Sequence, residues 1–451
     1  MAITTLLGAL MALSGCHRAA SKEEKALRAE LRKALDDQAY ERAADLARRH
    51  LKLKPGDNGT WDRLVRAEFG LHDLPGVKRT LDEWRQAVPH PSISLDEYTG
   101  DLAAAQNDDT SAIEAWTKAV SVDAKNIRVL EKIARFEKRR RFWIKEDAAW
   151  SSIIAVQDSA VARINRALCR RHLHRWNDAF EDLEKAKALA PDDPEVQRGA
   201  KLFERTDKYI AEIREIDSAL AVTPNDVGLL GDRSLIFLRA DDPELALEDA
   251  EAAGRIGTWA VRPRLFQALA LIALGRPDEC EKLGVHKLLR LEALTPEFLD
   301  TIGRLDSEIS AEPNNAELYV SRGWHLNEIE QPALALQDAE TAVRLDPTSA
   351  GAKAEASYAM TKLGRAQEAL EQIRKATELD PNLGTAWQYR GELEMVRGET
   401  LSAIESFTHA IEANQTVTAL EKREQCYRRL GLLVKAEQDR RTREELAKAS
   451  K

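Results

Sequence analysis

The chain has 451 residues, of which 67 are Lys or Arg and 76 are Asp or Glu, so its formal net charge is −9. Apolar residues make up 43% of the chain and aromatic residues only 6%, which excludes a disordered protein and favours helices over sheets. The acidic balance argues against general nucleic-acid binding, because that function needs a basic surface.

Residues 1–15 predict a secretory signal peptide. The apolar run MAITTLLGALMALS is too short to span a bilayer, which takes about 20 residues, but it fits a signal-peptide core. It is followed by Leu13-Ser14-Gly15-Cys16, which resembles the lipobox of bacterial lipoproteins. The resemblance implies that Cys16 carries a lipid anchor in the bacterial cell envelope. An ordinary cleaved signal peptide and a chance LSGC are the alternatives.

The residue after Cys16 bears on which membrane would hold the anchor. Residue 17 is His rather than Asp. Under the best-known sorting rule for envelope lipoproteins, which the resemblance implies, this residue directs the protein to the periplasmic side of the outer membrane. Residues 16–24 then form a short polar linker, and the protein contacts the membrane only through its N-terminal lipid.

From Lys25 onward the sequence is helical in pattern, and its most regular stretch is Asn315–Pro381. One 34-residue pattern occurs there twice, with these matched residues: Ala335 and Ala369, Ala342 and Ala376, Pro347 and Pro381. A 34-residue period with small residues in mid-unit and a closing Asp-Pro resembles the tetratricopeptide repeat. The resemblance implies an all-α, right-handed superhelical solenoid of about twelve helix-turn-helix units that binds other proteins. We place this solenoid at residues 25–417 and charged capping helices at residues 418–451.

Two groups of Gly fit this pattern. Gly275, Gly364 and Gly398 follow predicted first helices, where a left-handed C-cap favours Gly. Gly323 and Gly391 lie within first helices and predict places where two helix backbones meet.

A longer repeat overlies the 34-residue period. Ile213–Ser218 resembles Ile302–Ser307 at an offset of 89 residues, and the same offset relates Arg233 to Arg322. This predicts a duplicated block of several units, in which the irregular stretches near residues 200 and 290 are equivalent helices.

The sequence offers no motif for catalysis or metal binding. HExxH, GxSxG, Walker A and Rossmann glycine patterns are not found in it, so we expect neither enzyme activity nor a cofactor nor a metal. Cys169, Cys280 and Cys426 have no CxxC spacing and fall in helical patterns. They predict small buried apolar side chains.

The candidate binding site is basic. Two runs rich in Arg and Lys, residues 135–145 and 163–175, lie on predicted first helices of adjacent units. In tetratricopeptide repeats the first helix lines the concave groove. The resemblance therefore implies that the following residues face it: Arg135, Lys138, Arg139, Arg171 and His172. Such a surface fits an acidic peptide or an acidic glycan. The alternative is a solvated face whose Arg side chains pair with acidic residues of neighbouring helices.

These features predict a non-enzymatic, protein-binding scaffold of the bacterial cell envelope. It would be lipid-anchored through Cys16 and would dock one or more partner proteins in its groove. The alternative is an anionic-glycan-binding module of a polysaccharide or cell-wall assembly system. A nucleic-acid partner is not expected.

Overall fold

The computed structural model describes residues 22–286, 289–413 and 417–449. These residues form 24 α-helices and two short 3-10 helices without any strand, which confirms the all-α prediction. The predicted signal peptide and Cys16 lie outside the described residues. No described helix is both long enough and apolar enough to cross a membrane.

The chain divides into two compact units, residues 1–200 and 201–451. The first unit contains ten complete helices and the start of an eleventh. Their bounds are α1 (Lys22–Asp36), α2 (Tyr40–Leu53), α3 (Asn58–Gly70), α4 (Leu74–Ala87), α5 (Ser94–Ala105), α6 (Asp109–Val122), α7 (Ile127–Arg139), α8 (Trp143–Val156), α9 (Ala160–His172), α10 (Trp176–Leu189) and α11 (Pro194–Asp207).

The second unit contains the remaining helices. Their bounds are α12 (Ile210–Val222), α13 (Val227–Arg239), α14 (Pro243–Ile256), α15 (Arg262–Ala273), α16 (Pro296–Ala311), α17 (Ala316–Glu328), α18 (Pro332–Leu345), α19 (Ala350–Lys362), α20 (Ala366–Leu379), α21 (Gly384–Val396), α22 (Thr400–Glu412), α23 (Val417–Arg429) and α24 (Leu433–Ala449).

The helices alternate as first and second members of successive helix-turn-helix pairs. Odd-numbered helices are first helices and even-numbered helices are second helices. For example, α17 packs on α18, and α19 on α20, while the first helices α17, α19 and α21 also pack on one another. First helices of successive pairs therefore present a common surface.

A residue with positive φ follows the first helix in most pairs. Gly275, Gly364 and Gly398 have φ of 72°, 77° and 79°, as the sequence predicted. Seven other residues adopt the same conformation without being Gly: Gln38, His72, Asn107, Arg141, His174, Asp241 and Glu330. The turn is therefore dictated by the helix pair, and Gly only makes it easier.

Small residues let the two helices of a pair approach closely. A Cβ added to Gly323 would lie 3.3 Å from the carbonyl oxygen of Ala335, so this Gly marks a close backbone contact, as predicted. The prediction that Gly391 marks a contact between two helix backbones was wrong. A Cβ there would lie 2.7 Å from the ring of Phe407, so Gly391 makes room for an aromatic side chain.

Residues 274–295 depart from the regular pattern. The sequence predicts helices throughout, but the residues described in this stretch, 274–286 and 289–295, form two 3-10 helices, Pro277–Leu283 and Leu291–Ala293, and no α-helix. Pro277 lacks an N–H donor and Gly284 turns the chain with a φ of 69°, so an α-helix does not continue there. Cys280 is buried in this stretch and, like Cys169 and Cys426, is a free thiol. The prediction of buried cysteines is confirmed.

Candidate functional site

Three basic residues near the C-terminal end of α7 are exposed. The side chain of Asn126 caps the N-terminus of α7, and Leu130 belongs to the apolar core on its buried side. Arg135, Lys138 and Arg139 are exposed. We call these three residues the α7 basic face.

The α7 basic face is only weakly neutralised. Arg135 approaches Glu131 of the same helix at 3.5 Å, an exposed pair that contributes little. The guanidinium of Arg139 lies 5.3 Å from the ring centroid of Phe136. Within the described residues, neither Arg139 nor Lys138 forms an ion pair, so the face keeps net positive charge for an acidic partner.

Arg171 and His172 do not extend this face. Arg171 is only 4% exposed, and its Nη2 lies 3.4 Å from Nε2 of His172. The His172 ring stacks on Trp143 of α8, with ring centroids 3.9 Å apart and planes 12° apart. Contrary to the expectation from sequence, Arg171 is therefore not available to a partner, and His172 belongs to an aromatic stack between α8 and α9.

The rest of the second basic run is paired with acidic residues. Asp182 of α10 accepts hydrogen bonds from Arg163, Arg166 and Arg170 at 2.7–2.8 Å. Burial opposes the ionisation of Asp182, but the hydrogen bonds from Arg166 and Arg163 outweigh it, so the pKa of this carboxyl lies below its usual value. For these arginines the structure has the acidic pairs that the alternative interpretation expected.

Arg166 is one of four arginines, among the described residues, that each bind two second helices. In each case a first-helix Arg makes a two-pronged contact with the Asp 16 residues later, on the second helix of its own pair. Its Nη1 bonds a side chain on the preceding second helix. We call these the bridging arginines: Arg166 with Asp182 and Ser151, Arg233 with Asp249 and Asp217, Arg322 with Asp338 and Asp306, and Arg423 with Asp439 and Thr408.

Arg322 is the most buried bridging arginine, at 2% exposure. Its Nε and Nη2 donate to Asp338 at 2.8 and 2.7 Å, and its Nη1 donates to Asp306 at 2.6 Å. Asp306 also accepts from the backbone N–H groups of Val261 and Arg262, at the N-terminus of α15. The arrangement is thus structural, and its equivalent at Arg233 explains the 89-residue echo in the sequence.

A cavity of about 310 Å³ lies beside Asp306, one of the two aspartates that Arg322 contacts. Gly228, Gly231 and Gly303 line it together with the partly exposed Trp259 and Arg262. Arg262 is paired with Asp232. The guanidinium charge is therefore balanced within the protein.

A second surface was missed by the sequence analysis. Trp324 of α17, Tyr358 of α19 and Glu392 of α21 occupy one position of three successive first helices, 34 residues apart. Glu328 and Lys362 each lie one helical turn further along α17 and α19. We call these five residues the acidic–aromatic face. Comparing the same position in successive repeats would have revealed it.

Three polar residues lie beneath this face. Glu355 is buried and accepts hydrogen bonds from Tyr389 Oη and Asn327 Nδ2, both at 3.0 Å. Burial raises the pKa of Glu355 to about 7, although both hydrogen bonds favour its ionised form. Tyr389 also stacks on Tyr358, with ring centroids 4.3 Å apart. These contacts join the three first helices directly.

Comparison with known protein families supports the assignment of successive helix-turn-helix pairs. The family model described as tetratricopeptide repeat matches residues 352–383, which contain most of α19 and all of α20. No curated protein matches the sequence.

Several solved structures are similar at low identity. MamA from Desulfovibrio magneticus RS-1 is 23% identical over 42% of this chain and 96% of that chain, with a TM-score of 0.23. The Cut9-Hcn1 hetero-tetramer of APC/C is 13% identical over 98% and 89%, with a TM-score of 0.30. Naa15/Naa10 bound to HypK is 15% identical over 92% and 75%, with a TM-score of 0.34.

These TM-scores are too low to support an argument about function. The family match, the 34-residue period and the alternating helix pairs identify the fold. Residues 352–383 match the tetratricopeptide-repeat model, and the described residues have an all-α fold of helix pairs like that of a tetratricopeptide-repeat solenoid.

Proposed function

We propose that the protein is a non-enzymatic scaffold that docks partner proteins on the surface of its first helices. The observation that carries the proposal is the α7 basic face, where Arg135, Lys138 and Arg139 are exposed and, in the described part of the chain, only Arg135 forms an ion pair. An acidic partner breaks fewer existing ion pairs at such a face than at the fully paired Asp182 cluster.

An acidic segment of a partner protein fits the α7 basic face. Guanidinium groups bind carboxylates in two-pronged hydrogen bonds, and clustered positive charge speeds association with an acidic partner. Because these charges are exposed, their contribution falls as salt screens them, with a Debye length of about 8 Å at physiological ionic strength.

The test is a pull-down from detergent-solubilised envelope with the full chain. The variant carries Arg135→Glu, Lys138→Glu and Arg139→Glu. The control carries Arg42→Glu, Lys78→Glu and Arg79→Glu, which make the same charge change at exposed positions of second helices. We expect the variant to lose proteins that the native chain and the control retain, and the native complexes to dissociate as NaCl is raised.

Each outcome decides between interpretations. Unchanged recovery of the partner proteins by the Glu variant would show that the α7 basic face is not the docking site. Loss of acidic glycans alone, with all proteins retained, would favour the glycan-binding module. Equal loss from the variant and the control would show that only net charge matters.

We further propose that the scaffold is held in the bacterial cell envelope by a lipid on Cys16. The support is the LSGC motif directly after a short apolar run. Metabolic labelling with a fatty-acid precursor tests it, because native protein should take up label and partition with membranes. A Cys16→Ser variant should do neither. Label uptake that does not depend on Cys16 would contradict the anchor.

A further inference from the structure

We propose that the acidic–aromatic face of α17, α19 and α21 binds an extended peptide segment that carries Lys or Arg. This site differs from the α7 basic face in position and in charge, and it does not depend on that face. Three of its residues share one position of successive first helices, and its residues together carry net negative charge and include aromatic rings.

The face has the dimensions of a short peptide. Trp324, Tyr358 and Glu392 stand at one position of three first helices that pack in series. Neighbouring packed helices lie about 8–10 Å apart, so the face spans about 16–20 Å. An extended chain rises about 3.3 Å per residue, so five or six residues cover this distance.

The charge of the face is negative. Glu328 and Glu392 are the carboxylates at its surface, and neither forms an ion pair with a basic side chain in the described part of the chain. Glu392 accepts one hydrogen bond, from Gln388 at 3.2 Å. Lys362 supplies one positive charge against these two, and the buried Glu355 adds further negative charge when it is ionised. A cationic partner therefore complements this face.

The aromatic rings are suited to a cationic side chain. The ammonium of Lys362 lies 5.0 Å from the ring centroid of Tyr358, which shows that this ring already accepts a cation. Trp324 is 42% exposed at the equivalent position of the preceding repeat. A Trp face is the strongest aromatic site for a Lys or Arg group, so Trp324 is the expected contact for the peptide's cation.

A buried acceptor beneath the face lacks a donor. Asn327 is only 9% exposed and donates to Glu355, but its Oδ1 is buried without a hydrogen-bond partner. A buried acceptor without a donor costs free energy. This unmet acceptor lies among the buried polar contacts that join α17, α19 and α21 beneath the face.

Fluorescence anisotropy with a defined probe tests the proposal. The probe is Gly-Lys-Gly-Lys-Gly-Lys-Gly-amide with fluorescein on its N-terminal amine, and its counterpart has Glu in place of Lys. The full chain is compared with Trp324→Ala and with Glu328→Gln plus Glu392→Gln. Matched controls are Trp259→Ala, which removes another exposed Trp, and Glu371→Gln plus Glu378→Gln, which removes two exposed carboxylates of α20.

We expect the native chain to bind the lysine peptide and not the glutamate peptide. Both variants of the face should raise Kd at least about fivefold, while both controls stay within about twofold. The variant Arg135→Glu, Lys138→Glu, Arg139→Glu should bind the lysine peptide like the native chain. This separates the proposal from the role of the α7 basic face.

Three results would overturn the proposal. One is equal affinity for the two peptides. Another is an unchanged Kd for Trp324→Ala while circular dichroism shows an intact fold. The last is an equal loss of affinity in the controls, because general acidity of the protein would then explain the binding.

Discussion

Individual buried arginines determine which helices contact one another, whereas the 34-residue pattern gives only the order of the helices along the chain. Arg322 holds Asp306 of α16 and Asp338 of α18 while it belongs to α17. A buried ion pair of this kind adds little net stability, but removing one partner leaves uncompensated charge. The bridging arginines therefore fix which helices pack together more than they strengthen the packing.

We expect Arg322→Ala to destabilise the fold. The change leaves two buried carboxylates without their partner, so the free energy of unfolding should fall by about 3–5 kcal/mol. Urea unfolding followed by circular dichroism measures the loss. Arg344→Ala, at an exposed position of α18, should change it by less than about 0.5 kcal/mol. Similar small effects of both substitutions would refute the structural role of Arg322.

Glu355 makes a prediction about pH. Its pKa is raised from 4.5 in the unfolded chain to about 7 by burial, with Glu328 of α17 opposing ionisation and Tyr389 of α21 favouring it. The folded state therefore holds a proton that the unfolded state releases. The resulting stability is fully present below about pH 4.5 and is lost as pH rises to about 7.

Glu355→Gln should remove this pH dependence, because Gln keeps the shape of the protonated acid without titrating. At pH 8 the variant should be more stable than the native chain, by at most about 3.5 kcal/mol at about 1.4 kcal/mol per pKa unit. At pH 4.5 the two should be equal. Thermal unfolding at a series of pH values measures the difference, with Glu378→Gln on α20 as an exposed control. Parallel curves for the native chain and Glu355→Gln would contradict the raised pKa.

At the residue scale, the sequence contains signals that cannot be interpreted from local patterns alone. The 89-residue offset between Arg233 and Arg322 was visible, and so was the spacing of 16 to Asp249 and Asp338. Their pairing depends on helices that meet only after folding. For the same reason the exposure of Arg171 was misjudged, because its burial follows from packing between α8 and α9.

At the scale of elements, the turn after each first helix decides where a pair folds back. Gly364 and Glu330 occupy this turn in adjacent pairs, with φ of 77° and 57°. The left-handed conformation costs an L-residue about 1–2 kcal/mol and costs Gly little. Glu330 is therefore more strained than Gly364, although the two residues have similar backbone conformations.

Exchanging the residue types tests this turn. Gly364→Ala should lower the free energy of unfolding by about 1 kcal/mol through the backbone alone, because no atom lies within 4 Å of the added Cβ. Glu330→Gly should raise it by a few tenths to about 1 kcal/mol. Urea unfolding of both variants decides the matter. A stabilising Gly364→Ala, or a destabilising Glu330→Gly, would contradict the account.

Element order was predictable because the 34-residue period repeats local signals. Small residues, capping Gly and the closing Pro each act within one helix pair. The failure at residues 274–295 has a physical reason. Pro277 and Gly284 prevent an α-helix from forming there. Apolar residues such as Leu289 and Leu294 are nevertheless buried, so the sequence has the apolar pattern of a helix although no α-helix forms.

At the scale of the molecule, the two compact units present first-helix surfaces of opposite charge. The first unit has the α7 basic face and the second has the acidic–aromatic face. Neither surface takes part in the bridging contacts, which pair Arg166, Arg233 and Arg322 with aspartates inside the repeats. Charged surfaces left over after folding are the part of this chain most suited to partner recognition.

The most direct test of the account is site-specific photo-crosslinking in cells. A photoreactive phenylalanine analogue replaces Lys138 on the first helix α7 or, as the matched control, Lys78 on the second helix α4. Both positions are exposed. The account predicts discrete crosslinked protein adducts from position 138 and none from position 78. Adducts of equal intensity from both positions, or from position 78 alone, would contradict docking on the first helices.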